Sequence, residues 1–425
     1  MNKLFFIFPV LFLSLTAMCA DTPANCGKEF KITCLPSTHF AKIGDTIEFT
    51  VASETQKNCR IVLTVDRGRV LKHLRKADVP YKLTYKAEFA GFIRCEVFMK
   101  NKLAASCAVA VEPENIRAAG KEPADFDEFW NNTFKESDKL PLDLKMEKLD
   151  LKGNFNFFRM SCANINGKRA YALLAVPKNV TKPVPMLVTF GGGEAYINER
   201  SLSANAQGVL RNLKVSAAAL LMLHLPPYPP EKDGKAAQKR HREFLKEFGY
   251  RRYIVPVESK ETFYVRPTVT GALRLLDAAA ALPEIDEKNI VFRGASHGGK
   301  IGAYLACFSK HIKAAFCGVP SSCEFHAVKD QRNAPVTKEW KRDIDKTLPI
   351  LNYFDLVWLA PRIKVPLLVS VGFVDDSCPP TGVYAFYNEL KAPKKMYNKV
   401  AYGHGGAPDD YHKVTWDFLI EHINK

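Results

Sequence analysis

The sequence predicts an α/β chain built on a doubly wound, mostly parallel sheet and preceded by a small all-β unit. Three observations carry this. Short alternating runs separated by turn residues fill residues 22–112. Apolar runs then alternate with amphipathic stretches from residue 116 to residue 425. The length of 425 residues suits two or three units, counting roughly 150 residues for each.

The first twenty residues stand apart. Lys3 gives a positive start, Leu4 to Leu15 is almost wholly apolar, and Thr16-Ala17-Met18-Cys19-Ala20 is small and weakly polar. This reads as an export signal cut after Ala20, so a secreted or periplasmic protein is expected. Cys19 would suit a lipid anchor, but Met18 before it is not the small residue that lipidation favours. The run is short for a span of about 20 residues, and no later segment reads as a membrane helix.

Apolar and charged fractions of 47% and 25% are those of a globular chain. The formal net charge of +16 fits basic side chains scattered over solvated faces. Attraction to acidic glycans or an anionic envelope is the sharper alternative. No nucleic-acid motif is present. Of eleven cysteines, Cys26, Cys34, Cys59, Cys95 and Cys107 fall early. In an oxidising compartment one or two disulfides are expected there, with pairing open. No CxxC pair or His/Cys cluster has zinc spacing, so neither metal nor cofactor is expected.

In the leading unit, Thr46–Val51 and Ile61–Val65 alternate, and Phe89–Met99 and Ala105–Val111 are further strands. Gly44-Asp45, Asp66-Arg67-Gly68 and Lys100-Asn101-Lys102 are the turns. Strands at this spacing predict an immunoglobulin-like sandwich, read as a spacer, oligomer contact or glycan-facing module. Glu112 to Pro123 is a linker, and Asp125 to Trp130 starts a helix with Asp125 placed as its N-cap. Strands follow at Ala170–Val176, Met186–Phe190, Ala217–Leu223, Asn289–Arg293 and Pro366–Val371. Helices are placed at Thr268–Ala281, Lys300–Phe308, Val383–Leu390 and Thr415–Ile423.

The strongest chemical signal is Gly294-Ala295-Ser296-His297-Gly298-Gly299, which fits G-x-S-x-G between an apolar strand and a helix. A nucleophile on such an elbow needs glycines two positions either side, because side chains there would clash with the turn. Its hydroxyl then stands at a helix N-terminus, where backbone N–H groups meet a developing oxyanion. A serine nucleophile also needs a base and a carboxylate. Asp375 follows the strand Leu367–Val371, with Asp376 as its rival. His404 lies in Tyr402-Gly403-His404-Gly405-Gly406, with His412 as the weaker rival. The backbone N–H of His297 is one expected oxyanion donor. The other comes from Gly191-Gly192-Gly193, Gly191 or Gly192, with Gly192 preferred.

These features predict an α/β-hydrolase with Ser296, Asp375 and His404 as its triad. Residues 116–425 resemble the acetyl xylan esterase and cephalosporin C deacetylase family. The matching pieces are Lys121 to Trp130, Asp277 to Gly299, and Gly372-Phe373-Val374-Asp375-Asp376-Ser377-Cys378-Pro379-Pro380. The resemblance implies removal of acetyl groups from acetylated oligo- or polysaccharides, places the triad on the same three residues, and leaves a homo-oligomer open. Three positions depart from the family pattern. His297 stands where Gln is usual. His224 to Pro230 stands where an Arg-Gly-Gln motif is usual. Gly405 stands where Glu often follows the histidine. The competing readings are another carboxylesterase or peptidase of this fold, and a non-catalytic glycan-binding module.

Overall fold

The computed structural model describes residues 24–25, 27, 29–193, 196–247 and 256–423. The export signal read at residues 1–20 lies outside them. Eight strands come first: β1 (Lys31–Leu35), β2 (Phe40–Ala41), β3 (Thr46–Ala52), β4 (Asn58–Val65), β5 (Val70–Asp78), β6 (Tyr81–Lys86), β7 (Gly91–Met99) and β8 (Lys102–Val111). They form two sheets, ordered β1-β3-β6 and β2-β8-β7-β4-β5.

Strand periodicity explains how the second sheet is used. In β7 the side chains of Ile93, Cys95 and Val97 point into a core shared with Ile32, Phe49 and Leu83 of the first sheet. The alternate residues Phe92, Arg94 and Glu96 face the other way, yet they too are buried. Phe92 belongs to the main core of the rest of the chain, as do Ala108 and Ala110 of β8. One face of this sheet therefore packs on its sister sheet, and the other on residues that follow 116.

The expectation of early disulfides is corrected for three cysteines. Cys34, Cys59 and Cys95 carry no bridge; they lie on inward faces and pack there as small apolar side chains. Cys26 lies outside the described residues. The absence of a His/Cys grouping is also corrected. Cys34, His39 and Cys107 bring ligand-type atoms within 4.8 Å of one another. Sequence spacing hid this because Cys107 arrives from β8. His39 Nδ1 is 2.8 Å from the Ala108 carbonyl oxygen, to which it donates.

The second sheet system holds nine strands: β9 (Lys145–Lys148), β10 (Phe155–Ala163), β11 (Arg169–Pro177), β12 (Val184–Phe190), β13 (Ala219–His224), β14 (Ile285–Ala295), β15 (Ile312–Gly318), β16 (Leu367–Gly372) and β17 (Lys394–Lys399). Their order is β17-β16-β15-β14-β12-β13-β11-β10-β9. The run from β17 to β13 is parallel, and β11, β10 and β9 add antiparallel pairs. Every residue of β13 and β16 is buried. That is why both read as almost wholly apolar runs without alternation, since helices cover both sheet faces.

The helices are α1 (Phe126–Asp138), α2 (Glu199–Leu213), α3 (Gly234–Glu247), α4 (Val265–Ala280) and α5 (His297–Phe308), followed by shorter segments and by Pro380–Glu389 and Tyr411–Ile423. The N-cap reading of Asp125 is corrected in one respect. Its side chain makes no cap bond but accepts from Lys260 Nζ at 2.8 Å and Tyr353 Oη at 2.5 Å. Two side-chain donors from distant segments outcompete the local backbone. No helix among the described residues is long and apolar enough to cross a membrane.

Candidate active site

Strand order locates the site. The chain leaves β12 to form β13 on one side, then crosses to form β14 on the other. At such a reversal the loops at the strand C-termini diverge and open a crevice. The loops after β12, β14, β16 and β17 all emerge at this end, and they carry Gly191–Gly193, Ser296, Asp375 and His404 respectively.

Ser296 sits at φ 58° and ψ −119°, between β14 and the first turn of α5. This is the strained elbow that the flanking glycines make feasible. A Cβ on Gly294 would lie 2.7 Å from the Gly298 backbone, and one on Gly298 would lie 2.2 Å from the Phe190 carbonyl oxygen. Either methyl would force strand and helix apart.

His404 Nε2 lies 3.0 Å from Ser296 Oγ, and His404 Nδ1 lies 2.8 Å from Asp375 Oδ2. The other carboxylate oxygen of Asp375 accepts from the backbone N–H groups of Ser377 and Cys378, at 2.8 and 2.9 Å. Asp375 is fully buried, so these three donors fix its orientation. The histidine loop is tied down by Lys399, whose Nζ donates to the carbonyls of Gly403, His404 and Gly406. Gly372 lets the two loops touch, since a Cβ there would stand 2.3 Å from the Gly403 oxygen. The rivals lie elsewhere. Asp376 pairs with Arg67 and Arg94, and His412 packs edge-on to Trp416.

His297 opens α5, where the helical ladder supplies no acceptor for its N–H. Gly192 lies against the elbow; a Cβ there would be 3.3 Å from the Ala295 oxygen and 3.7 Å from Ser296 Cβ. The glycine loop therefore borders Ser296 at the elbow. Sequence reasoning missed the tie that holds it. His297 Nδ1 lies 3.0 Å from the Gly193 carbonyl oxygen. Burial, aided by nearby Lys300, pushes the His297 imidazole well below the ordinary range. The neutral ring thus donates from Nδ1 and clamps the loop to α5. Lys300, one turn into α5, is also buried. Burial lowers its ammonium to about 7, and Nζ donates to Tyr264 Oη at 2.8 Å.

Burial pulls the His404 imidazole down, but the Cys378 sulfur and the Asp375 carboxylate outweigh it and hold His404 above its ordinary value. A charged Cys378 sulfur would raise His404 most, but burial raises the Cys378 thiol and keeps it neutral, so the Asp375 carboxylate, 2.8 Å from Nδ1, is the charge that holds the imidazole up. The consequence is testable. Only neutral His404 can accept the serine proton. A raised value means that activity is lost as pH falls, starting from a higher pH than an unperturbed histidine would give. The acid limb of kcat/KM for p-nitrophenyl acetate is expected to have its midpoint above 6.5. A midpoint at or below that value would contradict the upward shift.

Comparison with known proteins adds a family. Residues 111–422 match the acetyl xylan esterase (AXE1) family. Acetyl esterase Axe7A of Xylanibacter ruminicola is 25% identical over 312 residues, spanning 72% of this chain and 69% of its own. Two solved structures share the fold. Acetyl xylan esterase 1 from Thermoanaerobacterium sp. JW/SL YS485 superposes with a TM-score of 0.60 at 18% identity, covering 74% of this chain and 98% of its own. The acetyl xylan esterase from Paenibacillus sp. R4 gives 0.59 at 21% identity, covering 73% and 98%.

Proposed function

Because the chain belongs to the acetyl xylan esterase family, and is a carboxylic ester hydrolase, we propose that it removes acetyl groups from acetylated oligo- or polysaccharides through an acetyl-enzyme on Ser296. The hydrogen-bonded series from Ser296 Oγ through His404 to Asp375 carries this reading.

Ser296 Oγ attacks the ester carbonyl carbon while His404 Nε2 takes the hydroxyl proton. The tetrahedral oxyanion is held by the N–H groups of His297 and Gly192. His404, its imidazolium stabilised by Asp375, then protonates the sugar oxygen as the C–O bond breaks, leaving acetyl-Ser296. Water attacks the acetyl carbon while His404 takes its proton, the C–Oγ bond breaks as His404 returns that proton to Ser296 Oγ, and acetate departs. The protein's own groups supply each proton transfer.

Residues 22–112 are taken as an immunoglobulin-like sandwich and residues 116–425 as the esterase domain. With residues 1–20 read as an export signal, the enzyme meets its glycan outside the cytoplasm. Acetate release from a panel of acetylated oligosaccharides tests the substrate class; no release from any member, with p-nitrophenyl acetate still cleaved, would reassign the enzyme as another carboxylesterase. A deacetylase must also enclose a small acyl group while the bulky alcohol leaves to solvent. Apolar contact alone discriminates by only about 1–3 kcal/mol per methylene, so rejection of longer acyl chains comes from steric closure. Acetyl esters are expected to be cleaved faster than butyryl and far faster than octanoyl. A kcat/KM that climbs with chain length past butyrate would mean an open pocket and remove the deacetylase reading.

A further inference from the structure

The family match begins at residue 111, so β1–β7 and nearly all of β8 precede the part of the chain that resembles known esterases. They nevertheless reach the candidate acid. The turn between β4 and β5 supplies Arg67, whose Nη1 lies 2.5 Å from Asp376 Oδ2. Strand β7 supplies Arg94, whose Nη1 lies 2.6 Å from Asp376 Oδ1. Both oxygens of Asp376 are thus taken by arginines from the leading unit.

Those arginines are themselves held. Arg94 is 1% exposed, and its Nε donates to Ser106 Oγ at 2.9 Å. Glu96 Oε1 lies 3.0 Å from Arg67 Nε and 3.3 Å from Arg94 Nη2, bridging the two. A buried arginine with so many fixed partners marks a fixed geometry, because leaving any of these charges unpaired is costly.

Two more contacts grip the same segment. Phe40 and Phe92 pack edge-on against Phe373, with ring centroids 5.4 and 5.0 Å away. Buried Asp66 accepts from the backbone N–H of Thr381 at 3.2 Å, in the first turn of the helix Pro380–Glu389. The leading unit therefore holds positions 373, 376 and 381. Between them lie Asp375 and the two N–H groups, of Ser377 and Cys378, that aim its carboxylate.

We propose that the leading β unit is a working part of the active site, with Arg67 and Arg94 as positioning residues that close on Asp376 and so aim Asp375 at His404. The inference rests on the reading of Asp375 as the acid of the triad. It replaces the spacer or glycan-facing role expected from the sequence.

The test is made in the full chain with Arg67→Ala, Arg67→Lys, Arg94→Ala and Asp376→Ala, using p-nitrophenyl acetate, full pH profiles and thermal melts. Loss of the grip lets the carboxylate wander, and misplacement of about 1 Å can cost on the order of 10²-fold. Kcat is expected to fall by up to about that factor while KM stays put. The pH profile separates positioning from charge. Removing a nearby cation would, by field alone, raise His404 and move the acid limb up. Loosening the Asp375–His404 bond lowers His404 and moves the limb down. The arginine variants should therefore show the limb moving down, with Arg67→Lys recovering part of kcat.

Arg94 is buried, so Arg94→Ala could fail to fold; Arg67→Ala then decides by kcat and limb direction, and Asp376→Ala, which removes an anion and would lower the limb by field alone, decides by kcat. Wild-type kcat and pH profile in those folded variants would overturn the inference, as would a fall in kcat with the limb moving up. If Asp375→Asn is inactive while these variants match wild type, the triad stands and only the inference fails. An active Asp375→Asn would instead remove the triad reading itself.

Discussion

Ser296→Ala is expected to lower kcat for p-nitrophenyl acetate by on the order of 10⁶-fold, the cost of removing a triad serine elsewhere, without lowering the melting temperature. The backbone argument explains why the fold should survive. Ser296 N donates to the Gly318 carbonyl at 2.8 Å, and its carbonyl accepts from Lys300 N and Ser321 N. Alanine keeps all three bonds and the same Cβ, so the elbow's strain is unchanged. Only the Oγ that faces His404 Nε2 disappears. Residual hydrolysis would come from the oxyanion donors and binding alone, about 10³–10⁴ above water. A folded variant that keeps more than about a tenth of the wild-type rate would assign the chemistry to some other group.

How much of this was legible in the sequence depended on whether local pattern or long-range packing set each feature. Strands β12, β13, β14 and β16 were readable because burial on both faces gives them continuous apolar runs. Edge strand β17, KKMYNK, has no such run and was missed. Helix α3 was missed for a related reason: only Ala237 and His241 of its fourteen residues are buried, so no apolar stripe announces it. Strand β15 is rich in small residues and passed for neither element.

At the site, the elbow was legible because Gly294 and Gly298 are needed by local sterics alone. Ser296 and Asp375 came from their positions after strands, and His404 from its glycine-flanked loop. The His297 ring was read only as the owner of an N–H group. Its clamp on Gly193 crosses 104 residues. The arginine pair on Asp376 crosses 309 and 282 residues. No spacing rule reaches that far, because the first contact depends on how two strand-end loops meet and the second on how two sheet systems dock. Sequence reading also treated Asp376 as a competitor of Asp375, whereas the fold gives the neighbours separate partners.

That separation sharpens the second large expected effect. Asp375→Asn is expected to reduce kcat by about 10⁴-fold, the loss seen when a triad carboxylate becomes an amide, with little change in the melting temperature. The direction of the amide follows from its donors. Ser377 N and Cys378 N both donate to Oδ1, so the amide oxygen of an asparagine must take that place. Its NH₂ group is then turned toward His404 Nδ1. A donor facing Nδ1 favours the tautomer with its proton on Nε2, and that nitrogen faces Ser296 Oγ. The histidine can then no longer accept the serine proton, although every side chain stays in place. Asp376→Asn disturbs only the grip of Arg67 and Arg94 and should cost far less, up to about 10²-fold. The ordering of the two adjacent substitutions is the decisive measurement. If Asp376→Asn proves the more damaging, or if Asp375→Asn retains kcat within about tenfold of wild type, Asp375 is not the residue that orients His404.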